Sequence, residues 1–130
     1  MIVLDASAAL DWLLRTPEGL KIEKRIFARP QNVHAPHLLD LEVAQVLRKL
    51  AGNGTISPLR AESALQDLVD ARVMRHPHRP FLPRVWQLRH NLTSYDAVYV
   101  ALAELLNAPL LTRDRKLGTA SGHSARIELV

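Results

Sequence analysis

Cysteine is absent from the chain of 130 residues, which excludes disulfides, thiolate-bound zinc, thiol nucleophiles and thiol redox chemistry together. The same absence fits a reducing cytosol. Long hydrophobic runs are missing too. The longest, Ala97 to Ala103, is far too short to cross a bilayer, and Met1-Ile-Val-Leu-Asp5 has no basic leader-like region, so a soluble, cytoplasmic protein without a membrane partner is expected. Aromatic residues are few, at 5%, and Trp12 and Trp86 are expected in the core or on a dimer surface rather than as platforms for stacked bases. What is present is the composition of a packed globule, 48% hydrophobic and 23% charged, in a length that predicts one domain over residues 1–130 with a self-sufficient core. Lys and Arg number 17 against 13 Asp and Glu, a net charge of +4, which points weakly toward a polyanionic partner.

Ile2-Val3-Leu4 is an apolar run that ends at Asp5 and is followed by helix formers from Ala6 to Leu14, the pattern of a strand and then a helix. Thr16-Pro17-Glu18 supplies an N-cap, a first-turn proline and an acid at the positive helix end, and starts a charged helix that runs to about Arg29 before Pro30. Lys21, Lys24, Arg25 and Arg29 read as its wet face. Val33 to Ala35 predicts a second strand. Leu39, Val43, Val46, Leu47 and Leu50 recur at helical spacing until Gly52-Asn53-Gly54, and Ser57-Pro58 opens another amphipathic helix. Val73-Met74 predicts a third strand, the prolines of His76 to Pro80 a connector, and about Phe81 to His90 a helix. From Thr93 through Leu106 only Asp96 and Glu104 can ionise, which predicts a central helix enclosed by protein. Leu110-Leu111 reads as a strand, Thr112 to Gly118 as a turn or short helix, and Ile127 to Val130 as the last strand. Strands separated by helices predict a parallel sheet covered on both faces.

Three acids fall at element ends. Asp5 follows the first strand, Asp114 lies three residues past Leu111, and Asp96 stands three positions after Thr93. Each by itself reads equally as a cap or turn residue. Together they say more, because open parallel sheets bind ligands beyond the carboxyl ends of their strands. Glu42 lies on the rim of the long helix's apolar stripe, where a solvated surface acid is the plain alternative, and Asp40 lies on the opposite flank. Carboxylates gathered at about 4 Å cost on the order of 4 kcal/mol per pair near a surface. A divalent cation removes that conflict. Oxygen donors without cysteine favour Mg²⁺ or Mn²⁺, and a site of that kind acts on phosphate esters. Arg113, Arg115 and Lys116 bracket Asp114 and read either as phosphate contacts or as solvated charges. A metal-free nuclease using His34/His37 or His76/His78 as acid and base is a further alternative.

The segments Val3-Leu4-Asp5-Ala6-Ser7, Pro36 to Ala44 around Glu42, Leu92 to Glu104 around Asp96 and Leu110 to Leu117 around Asp114 resemble, in this order and over nearly the whole chain, the PIN-domain ribonucleases. Within them they are similar to the VapC toxins of toxin-antitoxin pairs. The resemblance implies an α/β PIN-like fold, a five-stranded parallel sheet flanked by helices in three α/β/α layers. It implies a Mg²⁺- or Mn²⁺-dependent endoribonuclease that hydrolyses single-stranded or loop RNA to a 5′-phosphate and a 3′-hydroxyl. By matching position, Asp5, Glu42, Asp96 and Asp114 would form the catalytic quartet. Asp5 and Asp96 would be the main metal ligands, Asp114 a ligand directly or through water, Glu42 a water-positioning or second-ion group, and Ser7 and Thr112 supporting hydroxyls. Where the family pattern sometimes has another acid, Arg115-Lys116 stand here, which bears on a second metal. A homodimer is implied, with a VapB-like antitoxin whose tail covers the site and through which alone promoter DNA is reached. Two other readings stay open: an idle PIN-fold module that binds RNA or protein, and a Mg²⁺-dependent phospho-receiver domain.

Overall fold

Ile2–Leu4 (β1) is buried at every position, as a strand flanked on both sides and covered on both faces must be. The computed structural model describes residues 1–130. After β1 come α1 (Ala6–Leu13), α2 (Pro17–Phe27), β2 (Val33–Pro36), α3 (Leu38–Gly52), α4 (Pro58–Asp70) and β3 (Val73–His76). A 3₁₀ turn (Arg79–Phe81) leads into α5 (Leu82–Gln87), α6 (Ser94–Leu106), β4 (Leu110–Thr112), α7 (Arg115–Thr119) and β5 (Ile127–Leu129).

The five strands form one parallel sheet in the order β3-β2-β1-β4-β5. Because right-handed crossovers from β1 toward β3 and from β3 back past β1 run in opposite directions, α1 to α4 cover one face and α5 to α7 the other. The packing of α1 on α2 and α3, of α3 on α4, and of α5 on α6 follows that division. The strand order reverses between β1 and β4, with the crossovers leaving them in opposite directions, and the crevice outside their carboxyl ends is the topological switch point of the sheet.

Local signals account for the helix starts. Thr16 accepts a hydrogen bond from the Gly19 amide, Ser57 from Arg60 and Thr93 from Asp96. Helix α6 is buried continuously from Ala97 to Ala103, the enclosed central helix that its composition predicts. Gly19 lets α1 and α2 touch, since a Cβ there would sit 1.9 Å from the Asp11 carbonyl oxygen.

Three expectations change. His76 belongs to β3 rather than to the connector, because its backbone continues the ladder opposite Pro36 and accepts from the His37 amide at 2.9 Å, with its ring beside His34. The helix expected from Phe81 to His90 is a 3₁₀ turn and six residues of α5, followed by i→i−3 bonds at Arg89 and Asn91. Pro80 and Pro83 supply no amide hydrogen bonds there, and the short helix unwinds into tight turns. Trp86 is 67% exposed, so it is not a core residue. Trp12 is half-buried, edge-on to Phe27 at 6.4 Å between ring centres.

Candidate active site

Asp5 is the residue at which β1 hands over to α1, and its carboxylate serves both its own helix and the neighbouring strand. Oδ1 accepts from the Ala8 amide at 3.0 Å and the Ser7 hydroxyl at 2.7 Å. Oδ2 accepts from the Thr112 hydroxyl at the end of β4. The N-cap reading of Asp5 is therefore correct, and the cap leaves its carboxylate at the carboxyl ends of β1 and β4. Ser7 Oγ in turn accepts from the Arg113 amide at 2.9 Å, and Thr112 Oγ1 from the Asp114 amide at 3.0 Å. The two supporting hydroxyls expected from the sequence thus lock the carboxyl ends of β1 and β4 to one another around Asp5.

Asp5 is only 8% exposed. Burial raises its pKa most, the bonds from Thr112, Ala8 and Ser7 oppose that, and the charge of Asp96 raises it again. Asp96, in the first turn of α6, is raised by burial and by the charge of Asp114, against a lowering by Thr93. Glu42, one turn into α3, is raised by burial and by the charges of Asp96 and Asp5. Helix α6 crosses behind β1, β2 and β4 and brings Asp96 to the mouth. The fold therefore brings all four predicted acids within electrostatic reach of at least one other. Asp114 is also the N-cap of α7, accepting from the Lys116 amide at 2.9 Å.

Sequence reasoning missed Tyr99. Its buried phenol, on α6, donates to Glu42 Oε1 at 2.7 Å. The bond opposes the upward push on Glu42, and burial together with the same bond holds the Tyr99 pKa far above its ordinary value. A phenol three residues beyond Asp96, within the apolar run Ala97 to Ala103, is the signal that could have found it.

Other expectations are corrected. Arg113 is committed elsewhere, its Nε 2.9 Å from Asp11 Oδ2 and Nη1 donating to the Val130 carbonyl oxygen, so it is not a free phosphate contact. Arg115 and Lys116 are exposed. Arg25, expected on a wet face, forms a two-pronged pair with Glu128. The histidine pairs do not form acid-base couples as grouped from the sequence. His34 Nδ1 lies 2.9 Å from His76 Nε2, and His78 Nε2 accepts from the Leu38 amide at the start of α3.

No three His, Asp or Glu side chains converge into a closed metal cage, and Asp5, Asp96 and Asp114 are no exception. The residues nonetheless suit Mg²⁺ or Mn²⁺. Every donor is oxygen, the acids raise one another's pKa, and Asp5, with three of about four acceptor positions taken, keeps one for a cation. Mg²⁺ retains several waters and takes one or two carboxylates rather than a full protein shell. Beside the acids runs an apolar groove of about 460 Å³, lined by Leu10, Leu38, Leu41, Val46 and Tyr95 with Ser7 and Glu42 at its edge. A larger cavity of about 650 Å³ lies near the amino end of β2, among Trp12, Phe27, Gln31 and Val33, and holds none of the four acids.

Comparison with known proteins bears on the family and the fold. The PIN domain family model matches residues 2–122. Ribonuclease VapC12 of Mycobacterium tuberculosis is 42% identical over 130 residues, covering 100% of this chain and 99% of that protein. Among solved structures, the Mycobacterium tuberculosis toxin VapC20, described as cleaving the sarcin-ricin loop, superposes with a TM-score of 0.68 at 16% identity over 95% of this chain and 97% of its own. VapBC2 from Rickettsia felis, bound to a DNA fragment from its promoter, gives 0.67 at 14% identity over 99% and 98%. These two share the fold. With the family model over most of its length and a full-length relative at that identity, the chain belongs to the PIN-domain family and, within it, to the VapC group.

Proposed function

We propose that the chain is a Mg²⁺- or Mn²⁺-dependent endoribonuclease toxin that hydrolyses phosphodiester bonds in single-stranded or loop RNA. The observation that carries this reading is the Asp5 carboxylate, fixed by Ala8, Ser7 and Thr112 at the switch point and within repulsive reach of Asp96 and Glu42. Asp5 and Asp96 would hold the cation, with Asp114 directly or through water. When bound, the cation neutralises charge on the scissile phosphate and acidifies a water. Glu42, steadied by Tyr99, orients the attacking water, and Ser7 and Thr112 keep Asp5 in place. The buried, hydrogen-bonded setting of Asp5 favours this reading over an idle binding module, which needs no such arrangement.

The same reading gives the groove beside Glu42 an occupant, the tail of a VapB-like antitoxin. It supposes a cytoplasmic homodimer that reaches promoter DNA only through that antitoxin. The relatives' names and the VapBC2 fold support it. Incubating the purified chain with RNA in Mg²⁺ or Mn²⁺ should yield fragments with 5′-phosphate ends. Chelation or Asp5→Asn should stop cleavage. Equal cleavage with chelator present overturns metal dependence, and no cleavage under any metal overturns the enzyme.

A further inference from the structure

From Ala71 to Tyr95 the chain has no Asp or Glu, but five arginines (72, 75, 79, 84 and 89) and three histidines. Asp40 neutralises Arg75 and Glu104 neutralises Arg84, while Arg72, Arg79 and Arg89 form no ion pair. Along the 3₁₀ turn and α5, Phe81, Val85 and Leu88 are buried. Arg79 on the 3₁₀ turn, Leu82 and Trp86 on α5, and Arg89 in the turn after it are all exposed, between the buried positions. Trp86, at 67% exposure, is the largest apolar side chain the protein leaves in water. The Arg89 guanidinium lies 4.6 Å from its ring centre and donates to the Trp86 carbonyl oxygen at 2.9 Å. One side of the indole thus carries a fixed cation. The stripe continues through exposed Asn91 and Thr93 into the start of α6, where exposed Tyr95 precedes Asp96.

We propose that this stripe is a docking surface for single-stranded RNA, with a base stacked on Trp86 and phosphates on Arg79 and Arg89. The proposal rests on the ribonuclease reading and extends it from the reacting phosphate to the flanking strand. An aromatic face beside cations with no acid among them is what a flexible polyanion with exposed bases requires. A second copy of the chain is the competing occupant. Pairing the stripe with itself about a twofold axis would set arginine against arginine with no carboxylate on the stripe to offset them.

The test uses the full chain and oligo(A) with chelator present, so that binding is read without cleavage. Trp86→Ala should weaken binding about ten-fold or more, and Trp86→Phe should keep most of the affinity. RNA should quench tryptophan emission in the wild type and not in Trp86→Phe, since Trp12 is half-buried in another part of the fold. Arg79→Gln with Arg89→Gln should lower the slope of log affinity against log salt by about 0.7 per lost contact. Lys24→Gln, on the exposed side of α2, should change affinity less than about two-fold. Wild-type affinity, quenching and slope in these variants, in a chain that still cuts RNA with metal, overturn the stripe and leave the nuclease standing. Binding that is lost in Trp86→Ala, in a chain that never cuts, supports the stripe and overturns the nuclease. Conversion of a dimer to a monomer by Trp86→Ala, with oligo(A) affinity unchanged, assigns the surface to a second copy and overturns the proposal.

Discussion

Removing one oxygen from Tyr99 tests how the protein holds Glu42. The phenol is buried and donates at 2.7 Å to a partly buried carboxylate that already feels the charges of Asp96 and Asp5. A hydrogen bond to a charged acceptor contributes about 1.5–3 kcal/mol, and a neutral one about 0.5–1.5. Tyr99→Phe keeps the ring and its packing, so it should destabilise the metal-free chain by about 1.5–3 kcal/mol in urea denaturation. In a Glu42→Gln background the same change should cost only the neutral amount, leaving a coupling of about 1 kcal/mol in the double-mutant cycle. Released from its donor, Glu42 should also lose its orientation, and RNA cleavage with metal should fall about ten-fold. A loss below about 0.5 kcal/mol, or the same loss in both backgrounds, would show that the phenol does not restrain Glu42.

Asp5→Asn and Asp96→Asn should each lower RNA cleavage by about a hundred-fold or more, read as single-turnover rates with Mg²⁺ or Mn²⁺; near-normal rates in both remove the metal assignment. Because Asp5, Glu42 and Asp96 have raised pKa values in the fold, the folded chain binds protons more tightly than the unfolded one. Their contribution to metal-free stability should therefore be fully present below the ordinary carboxylate range and fall as pH climbs through the raised values. Asp96→Asn should flatten that fall in thermal melts, and added Mg²⁺ should reverse it. Glu104 shows the opposite sign. Arg84 and Ser124 hold its pKa down to about 2 from 4.5, so its stabilisation is complete above the unfolded value and fades as pH drops toward the folded one. Glu104→Gln should cost roughly 2–3 kcal/mol near neutral pH and almost nothing in strong acid, by denaturant titration at both. Arg113→Ala should lose about 0.2–1 kcal/mol, as a partly exposed ion pair does, without changing the salt dependence of RNA binding; a shallower slope would return Arg113 to the phosphate contacts.

Much of the site is readable in one dimension because its parts are local. The apolar run Ile2 to Leu4 ends at Asp5 in the sequence itself, and Thr16, Ser57 and Thr93 cap helices through amides three positions away. The hydroxyls of Ser7 and Thr112 were legible as supports for the acids only through the family pattern, since their shared grip on Asp5 spans 107 residues. Arg25 and Arg113 read as solvated or RNA-facing because nothing near them in sequence shows that Glu128 and Asp11 are within reach.

Sequence by itself determined the alternation of strands and helices, the positions of Asp5, Asp96 and Asp114 at element ends, and the all-oxygen chemistry available to them. Hydrophobic period and capping depend on neighbours a few residues apart. Only the tertiary structure decided the strand order that makes β1 and β4 adjacent, the Tyr99 bond to Glu42 across 57 residues, the capture of Arg113 by Asp11, and the exposure of Trp86. Those depend on how sheet and helix layers orient side chains distant along the chain, and periodicity along the sequence carries no record of that.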